Sequence, residues 1–310
     1  MIFEDLEKIE SIAVEKRVNY LGRLKREPSS KKIFRSNMML NPLRLKHLNA
    51  IDNLPADMIT LNLEDAIAPS RKKEALINIA LFLSHLKTSN SSIIVRTNPL
   101  DEGGREEIAF LNSFSFDAVR VAKVKTRKEI LEIDRLLKSE KEIHISLETK
   151  EAFQNLATFG EIERFTTANI GILDLLTSLG LPQSLVTHEN PTIHYILSKF
   201  LVDAKTIGIN PISFMFQEYK DINGFKKWCE IEKRMGFTTK ACMGPAQVEI
   251  ANEIFGPNQE ALRRAKHIKR VFENSSANGE NGFMDRNYGF IDEPIYRDAL
   301  LVLSLFNESS

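Results

Sequence analysis

Several things are scarce in this chain of 310 residues, and each scarcity removes a class of protein. There are only two cysteines, Cys229 and Cys242. Two thiols so placed make neither a disulfide framework nor a Cys-rich zinc site, and they suit a reducing cytoplasm. No apolar run approaches the ~18 residues that a membrane span needs. The opening MIFEDLEKIESIAVEKR mixes charges of both signs and lacks the apolar core of a signal peptide. Net charge is also missing. The 42 basic and 42 acidic residues cancel, so no global field favours nucleic acid or an acidic membrane surface. There is no P-loop, no GxGxxG, and no pair of histidines at the i, i+4 spacing of a zinc helix. No nucleophile sits beside a recognisable base, so covalent catalysis is not indicated.

Hydrophobic residues, at 43%, are sufficient for a large core. The most informative stretch is ITLNLED, residues 59–65. Alternation puts Ile59, Leu61 and Leu63 on one face and Thr60, Asn62 and Glu64 on the other. IHISLET, residues 143–149, repeats the arrangement: Ile143, Ile145 and Leu147 oppose His144, Ser146 and Glu148. Each strand carries an apolar column, a polar column, and a glutamate at the carboxyl end of the polar column.

Eight strand candidates are legible, near Phe34–Leu40, Met58–Glu64, Ser92–Arg96, Ala118–Lys123, Ile143–Glu148, Arg164–Gly171, Pro211–Phe216 and Thr239–Met243. Helical spacing fills Arg71–Leu86, Arg127–Ser139, Pro191–Ile207 and Asn223–Gly236, two of which end on the stop signals Gly208 and Gly236. About eight βα units in ~230 residues is the arithmetic of a TIM (β/α)8 barrel. A doubly wound open sheet is the alternative. The twin strands favour the barrel, with polar columns turned inward, because strands of an open parallel sheet are apolar on both faces.

The expected organisation is an N-terminal helical extension over 1–32, a barrel over 33–258, and C-terminal helices with a lid over 259–310. The first of these includes the polar connector EPSSKK. In the last, Gln259–Glu273 reads as a basic helix, SSANGENG as a mobile loop, and Ile295–Phe306 as a closing helix.

A barrel of this kind does its chemistry at the carboxyl ends of its strands. Those ends carry Glu64 and Asp65, Arg96 in IVRTN, Lys123 in VAKVK, Glu148, and Asp174 in NIGILDLL. Four acids against two bases leave surplus negative charge, and oxygen ligands without His or Cys point to Mg2+. Asp65 equally suits a helix cap, and the inward parity of Lys123 is ambiguous. Gly103-Gly104 reads as a turn or as an anion-binding nest.

Read together, FRSNMML, LNLEDAIAPSRKKEA, IVRTNPLD, DAVRVAKVKT, ISLETKEAFQN, NIGILDLLTSLG, GFTTKACMGPAQVEIANEIFGP and YGFIDEPIYRDA resemble the HpcH/HpaI aldolase and citrate lyase beta-subunit family. The resemblance runs from about Phe34 to Leu303 and implies a Mg2+-dependent carbon-carbon lyase. Its substrate would be an acyl-CoA or acyl-carrier thioester, such as a malyl-CoA or citramalyl-CoA, cleaved to acetyl-CoA and a 2-keto acid.

For the residues, the resemblance implies that Glu148 and Asp174 hold Mg2+ and that Arg96 stabilises an enolate. Glu64 and Asp65 form an acidic pair beside the metal. Asp292, in GFIDEP, would act from a lid reaching a neighbouring subunit, so a homo-oligomer, a trimer or a multiple of one, is implied. Lys123, Arg35, Glu148 and Arg96 are the expected substrate contacts.

The chain departs from the family at Asn62, at Ala122 before Lys123, at Asn41-Pro42 and at Gly244-Pro245. The last two lie where the family shapes its thioester pocket. The beta subunit of citrate lyase acting on a carrier-bound citryl thioester, an aldolase of free hydroxy-oxo acids, and a non-catalytic relative are the competing readings.

Overall fold

The computed structural model describes residues 1–31, 33–138, 140–160 and 162–306. Three sequence expectations fall partly outside these: the end of the extension at Lys32, the helix end at Ser139, and residues 307–310 of the C-terminal segment. The chain divides into two compact units, one of Met1–Ser30 with Phe34–Phe255, the other of Lys31–Ile33 with Gly256–Ser310.

The first unit is a closed barrel of eight parallel strands in sequence order. They are β1 Ser36–Leu40, β2 Met58–Asn62, β3 Ser92–Thr97, β4 Ala118–Val121, β5 Glu142–Leu147, β6 Phe165–Ile170, β7 Asn210–Ser213 and β8 Thr239–Cys242. β8 closes on β1 through Asn37 opposite Ala241. All eight expected strands are present, most of them shorter than the sequence pattern. The trimmed residues, Glu64, Lys123 and Glu148 among them, leave the ladder to form the loops on the active face.

The alternation behaves as read. Ile59, Leu61, Leu63, Ile143, Ile145 and Leu147 are each 0% exposed in the shell between barrel and helices. Burying one such side chain contributes roughly 1.5–3 kcal/mol. Inside the barrel a separate apolar plug of Met58, Ile94, Ala118, Ile212 and Ala241 fills the end nearest the strand amino termini. Above the plug the interior turns polar. Thr60 donates to Asn37 Oδ1 at 2.8 Å, and Asn37 Nδ2 and Arg120 Nη1 both donate to Asn169 Oδ1, at 3.2 and 3.0 Å. These bonds join β1, β2, β4 and β6 across the lumen, which no outward-facing residue could do.

The expected helix at the N-terminus is two short ones, Leu6–Glu10 and Val14–Arg17. The segment is anchored by Arg17 Nη1 donating to Asn78 Oδ1 at 2.6 Å and by a buried Arg26–Asp117 ion pair. Gly236 ends its helix at φ 107, as its stop signal requires. Gly103, at φ 98, is the turn that starts the Gly104–Leu111 helix.

The second unit corrects one expectation. The Gln259–Ala277 helix runs through the first residues of SSANGENG, and Gly282 opens β9, Gly282–Asp285, which pairs antiparallel with β10, Gly289–Asp292. Two serines, Ser275 and Ser276, did not stop the helix, because the apolar stripe of Ala265, Ile268 and Phe272 packs against Ala299 and Leu303 of the Glu293–Phe306 helix. The residues read as a loop shrink to the turn between helix and hairpin.

One outward-facing residue of β8 breaks the apolar rule of the shell. Lys240 Nζ sits 2.6 Å from Glu232 Oε1 of the Ile222–Met235 helix, with both side chains 0% exposed, and 3.7 Å from the Phe214 ring centre. Breaking such a pair strands a buried charge, whereas removing both charges does not. Lys240→Met should therefore cost about 3–5 kcal/mol in urea unfolding, and adding Glu232→Leu should recover most of it. A double variant no more stable than the single one would refute that account.

Candidate active site

Six of the residues expected at the strand ends come together at the mouth of the barrel. Arg96, the last inward residue of β3, is central. Its Nη2 donates to Glu148 Oε1 at 2.6 Å and lies 2.9 Å from Glu64 Oε2. Lys123 Nζ takes the other oxygen of Glu64 at 2.9 Å and reaches Asp65 Oδ1 at 3.3 Å. The Asp65 amide donates to Glu64 Oε2 at 2.7 Å. Glu64 is thereby bound on both oxygens. Burial works against its charge, but the Arg96 charge, the Asp65 amide and Lys123 outweigh it and hold the carboxyl at about 2.

The uncertain parity of Lys123 has a conformational origin. With φ 52 it is the sole non-glycine with positive φ among the described residues, a backbone state that costs a residue with a Cβ of order 1 kcal/mol or more. β4 has ended at Val121, so alternation no longer governs where the ammonium points. Burial lowers its pKa, yet contact with Glu64 and Asp65 raises it further, and it stays a cation.

Glu148 differs from Glu64. Only Oε1 is bound, and Oε2 is buried with no hydrogen-bond partner. Burial pushes its pKa up, Arg96 pulls it down, and the charges of Glu64 and Asp174 push it up again. Gly171, following β6, packs against it: a Cβ there would collide with Glu148 Cγ and lie 2.8 Å from Oε1. Gly171 caps the Ile172–Ser178 helix, whose first turn carries Asp174. Glu148, Asp174, Arg96 and Asp65 line one cavity of about 390 Å³.

The floor of that cavity holds residues the sequence reading passed over, chiefly Arg120 and Asn169. Arg120 is 2% exposed. Burial, with Arg96 alongside, pulls its guanidinium down to about 9 against the raising effect of Glu148 and Glu64, so it is charged at neutral pH. The signal was available: in AVRV, Val119 and Val121 face outward, which turns Arg120 in. Four acids are thus balanced by three cations, and the surplus is one negative charge rather than two.

Two expected residues lie elsewhere. Arg35 precedes β1 at the amino-terminal end, where Nε and Nη2 grip Asp57 at 2.8 and 2.9 Å. It is not part of this cavity. Asp292 belongs to the second unit, where it ends β10 and accepts from the Ile295 amide at 3.2 Å as a helix cap.

The donor set fits Mg2+. Among the described residues no three or more of His, Cys, Asp and Glu are grouped to hold a metal, which argues against a closed zinc-type site. Mg2+ is commonly held by one or two carboxylates with water and substrate completing the shell. The unpartnered Glu148 Oε2 beside Asp174 supplies such a pair.

The sequence matches the HpcH/HpaI aldolase/citrate lyase family over residues 36–245. It is 28% identical over 248 residues to a (3S)-malyl-CoA thioesterase of Cereibacter sphaeroides, covering 80% of this chain and 86% of that one. To an L-malyl-CoA/beta-methylmalyl-CoA lyase of Rhodobacter capsulatus it is 27% identical over 255 residues, covering 72% and 79%. The crystal structure of protein CitE from Mycobacterium tuberculosis, in complex with magnesium, acetoacetate and coenzyme A, superposes with TM-score 0.69 at 18% identity, covering 89% of this chain and 98% of that one.

The depressed Glu64 pKa makes a prediction about stability. A carboxyl at about 2 in the fold, against 4.5 ordinarily, stabilises the folded state fully above pH 4.5 and loses that contribution as pH falls towards 2. Glu64→Gln should cost on the order of 3 kcal/mol at pH 7, and the gap to the parent protein should narrow in urea titrations taken from pH 5 to pH 3. A gap that stays constant over that range would show that the charge of Glu64 is not its source.

Proposed function

The chain belongs to the HpcH/HpaI aldolase/citrate lyase family, and from that premise we propose that it is a Mg2+-dependent carbon-carbon lyase. Its substrate is a 3-hydroxyacyl thioester of the malyl-CoA or citramalyl-CoA kind, and its products are acetyl-CoA and a 2-keto acid. The observation that carries this reading is the half-satisfied Glu148: a buried carboxylate tied to Arg96 through one oxygen, with the other left open beside Asp174.

Glu148 and Asp174 are the residues that would hold Mg2+. Bound there, the ion supplies Lewis acidity, lowering the pKa of a coordinated hydroxyl and polarising the adjacent carbonyl. The remaining work falls to side chains. Asp65 has its pKa raised by burial and by contact with Glu64, which makes it a stronger base and suits it to take the hydroxyl proton. As the carbon-carbon bond breaks, the hydroxyl-bearing carbon becomes the ketone of the keto acid, and the electron pair passes to the acetyl thioester as an enolate.

Arg96 faces that negative charge. Its Nε is buried without a partner, so the donor needs no other bond broken before it serves the enolate oxygen. Glu64 and Lys123 fix the guanidinium in place. Asp292, from a neighbouring copy in an oligomer, would deliver a proton to the methylene carbon and complete the acetyl group. Hydrolysis of the thioester without carbon-carbon cleavage is the second reading, favoured by similarity to the Cereibacter enzyme.

Incubation with malyl-CoA, citramalyl-CoA and citryl-CoA, each with Mg2+ and with excess chelator, separates these. Acetyl-CoA with a keto acid supports the lyase; free CoA with the intact hydroxy acid supports the thioesterase. Glu148→Gln should lose Mg2+ binding in calorimetry and at least ~100-fold in turnover, and a variant with full turnover would remove Glu148 from the metal site. Asp292→Asn and Arg96→Ala should each be inactive alone and regain activity when mixed as exchanged oligomers. Absence of recovery after verified exchange would place Asp292 outside the chemistry of a neighbour.

A further inference from the structure

Arg120 is a buried cation with no anion of its own. Its Nη1 donates to Asn169 Oδ1 at 3.0 Å, its one hydrogen bond among the described residues, and its Nε is buried and unpartnered. The two buried carboxylates nearby, Glu64 and Glu148, are both committed to Arg96. Arg96 and Arg120 are also direct neighbours in register across β3 and β4, so each guanidinium makes the other costlier to bury. Enclosing an ion that makes no ion pair is costly; Glu148 and Glu64 offset part of that cost for Arg120 without touching it, and the group lines the reaction cavity instead of packing away from it.

The groups around it are arranged to donate. Asn169 Oδ1 is occupied by Asn37 and Arg120 together, leaving its amide nitrogen to donate. A guanidinium fork and an amide NH2 at the end of a narrow polar lumen match a planar acceptor-only group, and a carboxylate is that group.

Depth identifies which carboxylate. Asn169 is opposite Ser146 in the ladder, two residues before Glu148, and thus ~7 Å below it at ~3.3 Å per strand residue. A carboxylate adjacent to the reacting carbon stays at the level of Glu148 and Asp174. Only a second carboxylate, further along the carbon chain, spans to the floor.

We infer that Arg120 and Asn169 form a carboxylate-binding floor that selects substrates whose keto-acid half carries a second carboxylate. This rests on the lyase reading but moves its substrate: malyl-CoA and citramalyl-CoA, which carry a hydrogen or a methyl group in that place, leave Arg120 without an ion-pair partner, and the favoured thioester is a citryl-like one that yields a 2-oxo dicarboxylate.

Oxaloacetate and pyruvate differ by this one carboxylate, and their binding can be read without turnover. Calorimetry with freshly dissolved oxaloacetate and with pyruvate, both with Mg2+, should show at least tenfold tighter binding of oxaloacetate to the parent protein. In Arg120→Leu the ratio of the two affinities should fall to within threefold of one. Arg120→Lys, which keeps the charge but lacks the fork, should fall between and serves if the leucine variant does not fold. A tenfold preference that survives in either variant, or affinities within threefold in the parent, would overturn the floor and leave the lyase reading standing. Failure of either acid to bind the parent would overturn both.

Discussion

Everything at the mouth of this barrel depends on one guanidinium. Arg96 Nη2 contacts Glu64 on one side and Glu148 on the other, so three strand ends distant in sequence are held together by a single cation. Without it, two buried carboxylates would face each other across the lumen, and one would have to take up a proton. With it, Glu64 is ionised at neutral pH and Glu148 is left half-satisfied. The asymmetry between those two glutamates leaves one buried carboxylate oxygen open at the mouth.

The interior polarity that this requires has a structural counterpart. A barrel lumen filled with aliphatic layers needs no hydrogen-bond accounting. Here the apolar layer is confined to one end, and the polar residues above it are joined across the barrel by Asn37, Thr60, Arg120 and Asn169. Buried polar groups are tolerable when such a network serves each of them. Arg120 is served least, and with Asn169 it faces the cavity.

How much of this was legible follows from which residues remain in regular structure. Period-two alternation placed Glu64 and Glu148 inward, and Arg96 was read at a strand end, because all three lie within two residues of the end of a strand. It could not place Lys123, whose left-handed backbone lies beyond the end of β4. Arg120 obeyed the rule plainly and was overlooked because its neighbours drew attention to the strand end, not the middle. Arg35 shows the converse: a charged residue in a matching motif, but at the amino end of β1, where Asp57 anchors it away from the carboxyl ends that carry the cavity. The hairpin of β9 and β10 was hidden because glycine and asparagine read as loop until a packing partner fixes the helix before them.

The apolar plug of Met58, Ile94, Ala118, Ile212 and Ala241 also sets the traffic through the barrel. A lumen stopped at one end has a single door. Whatever fragment occupies the floor must enter first or arrive attached to the rest, and it leaves only after the fragment nearer the mouth has gone. In the reaction proposed above, the order in which two products depart is then a property of the barrel's closed end, set by side chains most of which lie outside the cavity.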